Sequence, residues 1–405
     1  MSQYLAALAT LALTGFPAHA ARDKALYEAA QRQTGDALAL LERLVNVDSG
    51  SGDGPGLARV HALVIPELQK LGAAIETFPA TPNAGDNVVA TLRGKGKGRI
   101  LLIAHTDTVF GPGTVAKRPF KIERGRAYGP GVADNKCGVI AALYALKLLD
   151  GAGFRNFGQI TLLLNPNEEL GSDGSRALIE RLAREHDVAL NLEPGREADG
   201  LVAWRKGSAE AVVEIKGKSA HAGSAAERGI NAATELAHQV LQLSTLGDAA
   251  QGTSIHFTVL AAGERSNVIP DSAWARADVR ALSTEEFDRI ERDLIATAKQ
   301  QKVPNAEVKV RLERSFPPFQ KNPATDALVQ TAQAIYAEIG RTLTVEGSGG
   351  AADSSLTAGV GTPSLDALGL VGGNHHSDDE YLELESIPAR LYLLTRMLME
   401  LGPGE

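Results

Sequence analysis

At 405 residues the chain is long for a single hydrophobic core, and two domains are the natural expectation. A formal net charge of −8, with 44% hydrophobic and 22% charged residues, describes an ordinary globular protein and leaves no basic footprint for nucleic acid. The single cysteine, Cys137, excludes an internal disulfide and a cysteine-built zinc cage, so any metal must be held by histidines and carboxylates.

In chain order, an apolar stretch over Leu5–Phe16 followed by Ala18-His19-Ala20 predicts a secretory signal in residues 1–20 and a periplasmic or secreted protein, cytoplasmic if the segment is an ordinary helix. The stretch is too short for a membrane anchor, and no other segment reads as transmembrane. Lys24–Leu71 has a helical pattern broken by a Ser/Gly-rich loop at Ser49–Gly56. Strands are predicted at Asn87–Leu92, Ile100–Ala104, Ile160–Leu164 and Val188–Leu192, with helices at Lys136–Leu149 and Arg176–Glu185 between them. Apolar strands alternating with helices predict an α/β fold with a mostly parallel sheet covered on both faces.

The middle of the chain changes character. Glu210–Lys216, Ser254–Ala261, Ala273–Ala281 and Glu307–Glu313 read as strands, with helices at Ile230–Leu243 and Glu285–Gln301. That succession is the split βαβ pattern of a ferredoxin-like domain, whose open sheet edge invites pairing with another chain. After Phe316-Pro317-Pro318 the α/β style resumes. The expected division is a catalytic domain in two parts, residues 21–206 and 317–405, with an inserted domain at 207–316.

The polar residues that stand out sit at strand ends and in loops. LLIAHTDTVF runs four apolar residues into His105, Thr106 and Asp107; on an extended chain His105 and Asp107 point the same way, and a carboxylate beside an imidazole fixes a metal-binding histidine. GPGVADNKCGVI places Asp134 in a Gly-rich turn before a helix, where a plain N-cap is the competing role. LLLNPNEELGS ends a buried strand with Glu168 and Glu169, which repel each other unless a cation or solvent intervenes. ALNLEPG ends another at Glu193, and GGNHHSDDEYL carries His375 and His376 in what is otherwise a polar surface turn. Together, His105, Asp134, Glu169, Glu193 and His376 suit a dinuclear zinc site with one bridging carboxylate. Glu168, next to a ligand but itself free, is placed to act as the base.

AHTDTV, GPGVADNK, NEELGS, NLEPG and HHSDDEY resemble the signature stretches of the zinc-dependent aminoacylase/carboxypeptidase/dipeptidase family over the whole mature chain. The resemblance leans towards bacterial glutamate carboxypeptidases, which release C-terminal glutamate from folates and acyl-glutamates. It implies two zinc ions per subunit, one held by His105 and Glu193, the other by Glu169 and His376, with Asp134 bridging. It implies that Asp107 orients His105, that Glu168 is the general acid/base, and that the Asp134–Asn135 peptide is cis. GKSAHAGSA resembles the family's lid motif, so His221 would stabilise the oxyanion. GERSNVIPD with Asn267, and ADVR with Arg280, resemble the segments that grip the substrate carboxylate. A homodimer through the lid edge is implied, the lid histidine serving the partner's site. The expected substrate is a small molecule or peptide with a free C-terminal carboxylate; a dipeptidase, an N-acyl-amino-acid deacylase and a non-catalytic binding relative are the alternatives. Where glutamate-releasing members of the family carry two arginines around a glycine before proline, this chain reads Arg314-Ser315-Phe316-Pro317, and its C-terminal Gly-rich loop reads GSGGAADSS around Asp353. Phe316 is expected to offer an apolar face in place of an arginine and to loosen the preference for glutamate.

Overall fold

The computed structural model describes residues 23–404, so the predicted signal segment lies outside the described residues. Helices Lys24–Val45 and Gly54–Lys70 open the described chain, each capped by an aspartate, Asp23 or Asp53, that accepts a first-turn N–H. The loop between them is the predicted Ser/Gly-rich break.

The main sheet has six strands in the spatial order Ala74–Pro79, Asp86–Arg93, Gln159–Asn165, Arg99–His105, Val188–Asn191, Ser364–Leu365. The Gln159–Asn165, Arg99–His105, Val188–Asn191 and Ser364–Leu365 strands pair in parallel. Ala74–Pro79 and Asp86–Arg93 add an antiparallel edge, so the sheet is mixed rather than simply parallel. Sequence reading missed that edge strand, whose AIETFP composition is mostly exposed and lacks a clean alternation.

Apolar runs form the parallel centre because both faces are covered. Ile100, Leu102 and Ala104 enter one core with helices Lys24–Val45, Lys136–Gly151 and Ser386–Leu401. Leu101 and Ile103 point the other way, into a smaller core with Ile179, Leu182 and Leu356. Each strand residue therefore has an apolar partner above or below, which is why no polar alternation marks these segments.

The middle of the chain forms a separate four-stranded antiparallel sheet, ordered Ser254–Ala262, Ser272–Ala281, Gly207–Lys216, Glu307–Arg314. Ala211, Val213, Ala275, Ala277 and Val279 back it with Leu236, Phe287, Ile290 and Leu294 of helices Ala232–Leu243 and Thr284–Thr297. The connectivity and strand order are those of a ferredoxin-like sheet. Among the described residues, no helix is long and apolar enough to cross a membrane.

Candidate metal centre

The parallel strands deliver their carboxyl ends to one place, as open α/β sheets do at their ligand sites. His105 closes its strand. Glu168 and Glu169 follow Gln159–Asn165 in a short 3-10 turn, Glu168–Leu170, and Glu193 lies just past Val188–Asn191. Asp134 precedes helix Lys136–Gly151, whose cap is supplied by the next residue, Asn135, accepting from the Gly138 N–H. The competing N-cap role for Asp134 is thus taken by its neighbour. His376 arrives on the turn after Gly372–Gly373.

Asp134 sits between the two histidines. His105 Nε2 lies 3.0 Å from Asp134 Oδ1 and 3.7 Å from Glu193 Oε1. On the other side, His376 Nε2 lies 3.2 Å from Asp134 Oδ2 and 3.2 Å from Glu169 Oε2. Two triads result, His105–Asp134–Glu193 and Asp134–Glu169–His376, each with ligand atoms within 4.8 Å of one another. All five predicted ligands are brought together, in the two groups expected.

The electrostatics call for a cation. Burial pushes the Glu193 carboxyl up to about 8, helped by the nearby Asp134 charge. Burial also raises Glu168 well above the usual carboxylate range, with Glu193, Asp353 and Glu169 adding to the shift. Asp134 goes the other way: burial alone would raise it, but hydrogen bonds from His105 and His376 hold it low. His376 in turn rises to about 10 through its bonds to Asp134 and Glu169. Among the described residues, no lysine or arginine forms an ion pair with Asp134, Glu168, Glu169 or Glu193; the two histidines pair with Asp134, Glu169 and Glu193, and Arg205 acts on Glu193 and Glu168 only from a distance. Glu169 Oε1 is buried with no hydrogen-bond partner. A set of carboxylates and imidazoles with an orphaned buried oxygen fits hard or borderline divalent ions.

The supporting residues are equally buried. Asp107 lies 3.2 Å from His105 Nδ1 through Oδ1. The same carboxylate accepts the backbone N–H groups of Glu168 (3.1 Å) and Glu169 (3.2 Å) and the Ser51 hydroxyl at 2.6 Å. One side chain thereby aims an imidazole and fixes the turn bearing two functional glutamates. The Asp134–Asn135 peptide is cis. Glu380, fully buried, accepts N–H groups from Gly131 (2.9 Å), Ala133 (2.9 Å) and Asp134 (2.8 Å), which pins the loop presenting Asp134. Sequence reading missed Ser51 and Glu380; the Ser/Gly-rich loop and the carboxylate run of HHSDDEY were the only signals. Asp353 is buried and accepts from Asn165 (2.7 Å) and Ser172 (2.5 Å), behind the glutamate turn.

The remaining predicted residues lie elsewhere, in the four-stranded unit. His221 is exposed, and its Nδ1 accepts the N–H groups of Gly223 (3.1 Å) and Ser224 (3.2 Å). Asn267 is exposed beside it, its carbonyl accepting the Ala222 N–H at 2.9 Å. Arg280 donates to both Asp278 oxygens and lines a cavity of about 360 Å³ with Arg176, Arg314 and Ser315. Among the described residues, no hydrogen bond or ion pair joins these three to the cluster. Phe316 follows the Glu307–Arg314 strand. It is 7% exposed and packs in the smaller core with Leu101, Ile103 and Ile179. An aromatic ring there minimises its free energy by turning inward.

An α/β sheet gathering carboxylates and histidines around a shared aspartate defines a metal-dependent hydrolase. Residues 101–400 match the model of Peptidase family M20/M25/M40, and the chain belongs to that family. Carboxypeptidase G2 of Pseudomonas sp. (strain RS-16) is 40% identical over 404 residues, covering 99% of this chain and 97% of that protein. Succinyl-diaminopimelate desuccinylase of Gluconobacter oxydans is 28% identical, covering 88% and 96%. Among solved structures, aminopeptidase PepT of Bacillus cereus superposes with a TM-score of 0.77 at 24% identity, covering 91% of this chain and 98% of that one. The protein is a metallopeptidase, a hydrolase.

Proposed function

We propose that this chain is a zinc-dependent carboxypeptidase that cuts an amide beside a free C-terminal carboxylate. It releases the terminal amino acid, glutamate from folate-like, acyl- or peptidyl-glutamate substrates. The observation that carries the reading is Asp134 between His105 and His376, with Glu168 next in sequence to Glu169 and within electrostatic reach of His105 and Glu193. The 40% identity to a protein named Carboxypeptidase G2 supports the reaction class.

In this reading His105 and Glu193 would hold one zinc and Glu169 and His376 the other, with Asp134 common to both groups. Bound there, the two ions supply Lewis acidity for the scissile carbonyl and lower the pKa of the attacking water. Asp107 keeps the His105 ring aimed at the cluster. Glu168 takes the water's proton as the water oxygen bonds the carbonyl carbon, then gives that proton to the leaving nitrogen as the C–N bond breaks.

Residues 207–316 act as the lid between the catalytic parts 21–206 and 317–405. His221 stabilises the oxyanion, while Asn267 and Arg280 grip the substrate carboxylate. The exposed Val259 and Leu260 on edge strand Ser254–Ala262, with Trp274 on its neighbour, support a homodimer through that edge. The Leu5–Phe16 stretch supports export to the periplasm or beyond.

The test is a panel on zinc-loaded protein, following amino-acid release from acyl-amino acids, folate-like conjugates and unblocked dipeptides. Release of glutamate from blocked substrates is expected. A preference for unblocked dipeptides would make the chain a dipeptidase, and a preference set by the acyl group alone a deacylase.

A further inference from the structure

We propose that Arg118 is a positioning residue for the outer half of the metal centre. It fixes the turn that carries His376, and so sets how tightly the ion at Asp134, Glu169 and His376 is held. This rests on the dinuclear reading above and adds a residue from a different part of the chain.

The two halves of the cluster are supported unequally. His105 is 1% exposed at the end of a central strand, with Glu193 just past the adjacent one. His376 is 55% exposed on a surface turn. That turn holds Asn374 (φ 54°) and His376 (φ 62°) in the left-handed region, where a residue with a Cβ is strained unless its surroundings hold it. Inside the turn, Ser377 donates to the Asn374 carbonyl at 2.7 Å and accepts the Asp379 N–H at 3.3 Å. Among the described residues, Arg118 is the only side chain from outside the turn that bonds its backbone. Its Nη1 donates to the Ser377 carbonyl at 3.2 Å and the Asp378 carbonyl at 2.6 Å.

Arg118 can do this because its own position is fixed. It caps the short helix Thr114–Lys117, its N–H donating to the Thr114 carbonyl at 2.8 Å. Asp48 accepts the N–H groups of Gly113 (2.8 Å) and Val115 (2.9 Å), and Asn46 accepts that of Phe120 (2.9 Å). The guanidinium lies 4.5 Å from the Phe110 ring centroid, a cation–π contact that orients it. The same 46–51 segment bonds the inner half, through Ser49 to the Thr106 carbonyl and Ser51 to Asp107. One frame therefore reaches the residues beside His105 directly and the outer histidine's turn through Arg118. The ion pair of Arg118 with Asp378 adds little, because the Asp378 side chain is 88% exposed. The carbonyl bonds carry the effect.

The experiment is a zinc titration of the full chain against a competing chelator, resolving two stepwise affinities, with zinc-free melting temperatures as the check on folding. Wild type should bind two ions. Arg118→Ala should weaken the outer ion by about tenfold or more, within the range typical for loss of an outer support, and leave the inner ion within about twofold. Excess zinc should then restore its turnover. Arg118→Lys, which keeps the charge but loses the planar fork, should fall between the two. Asp378→Ala, which keeps the carbonyl, should match wild type. An outer affinity unchanged in Arg118→Ala would overturn the proposal, as would equal weakening of both ions with a lowered zinc-free melting temperature. A wild type holding fewer than two ions would overturn the dinuclear reading and this proposal with it.

Discussion

The metal end and the lid end of this protein are finished to different degrees. At the metal end, His105 and Asp107 are at most 1% exposed, and His105, Asp107 and Asp134 all answer partners in the same chain. At the lid end, His221 and Asn267 face solvent, and Arg280 is turned onto its own strand neighbour Asp278. Buried polar groups are tolerable only when paired, so burial obliges the metal end to find its partners within the subunit or in the ions it would hold. Exposed groups carry no such constraint. Their partners can be a substrate or a second copy of the chain.

If the metal end is a self-contained zinc centre, its loss should have the largest effect. Chelation should abolish hydrolysis of acyl-glutamates, and zinc or cobalt should restore it. The zinc-free protein should also melt at a lower temperature, since Asp134, Glu168, Glu169 and Glu193 then face one another with only two imidazoles between them. Hydrolysis that persists in protein shown by elemental analysis to be metal-free would break the comparison at its root.

Within that end, the adjacent glutamates should separate cleanly. Glu168→Gln should retain both ions and lose on the order of a hundredfold or more in kcat, the usual worth of a positioned base. Glu169→Gln should lose zinc from the outer site instead. Equal metal content and equal rate loss in the two variants would show that the roles are wrongly divided.

The lid end should matter less, and across the subunit boundary. His221→Ala should keep both ions and lose on the order of a hundredfold in kcat, as removal of one oxyanion donor commonly does. Mixed dimers of Glu168→Gln and His221→Ala chains should regain activity, because one of the two sites would combine intact parts. Demonstrated mixed dimers without recovery would confine His221 to its own subunit.

How much of this was legible follows the same division. Four of the five candidate ligands stand out in the sequence because each follows an apolar strand run or precedes a helix; His376 lies in a polar turn, and its signal was the resemblance carried by HHSDDEY. Asp107 was legible from its spacing to His105. Ser51 and Glu380 were not: each acts by bonding distant backbone, and Glu380 reaches Gly131 across 249 residues of sequence. Arg118 was silent for the same reason. The antiparallel edge Ala74–Pro79 was missed because a half-exposed strand without alternation looks like a loop.

A smaller effect tests the helix behind the metal end. His61 is buried on Gly54–Lys70, with Nε2 3.1 Å from the Thr106 hydroxyl, and burial lowers its pKa from 6.5 to about 4 despite the opposing Asp86 charge. Between those values the unfolded chain binds the extra proton, so this contribution is complete above about pH 6.5 and lost as pH falls through 4. The full loss is about 3 kcal/mol. His61→Gln should flatten the difference in unfolding free energy across that window, measured by denaturant titration at several pH values. Parallel curves for the two proteins would place the neutral histidine elsewhere.

The smallest expected effect concerns substrate preference, and it turns on Phe316. In the carboxypeptidase reading, the carboxylate grip falls to Arg280 and Asn267, since an arginine's two-pronged bond is not offered at position 316. We expect a required free carboxylate with a modest advantage of acyl-glutamate over acyl-alanine or acyl-leucine in kcat/KM. Because the Phe316 ring lies in the core with Leu101 and Ile103, it should act through packing rather than contact. Phe316→Leu should therefore lower stability by about 1–2 kcal/mol, in line with loss of buried apolar volume, and shift the glutamate-to-leucine ratio by less than about threefold. Phe316→Arg should destabilise more, since the same site would have to bury an unpaired guanidinium. A tenfold change in the ratio for Phe316→Leu, with unchanged stability, would mean that the ring meets the substrate and that the lid end reaches further into the site than its exposed residues imply.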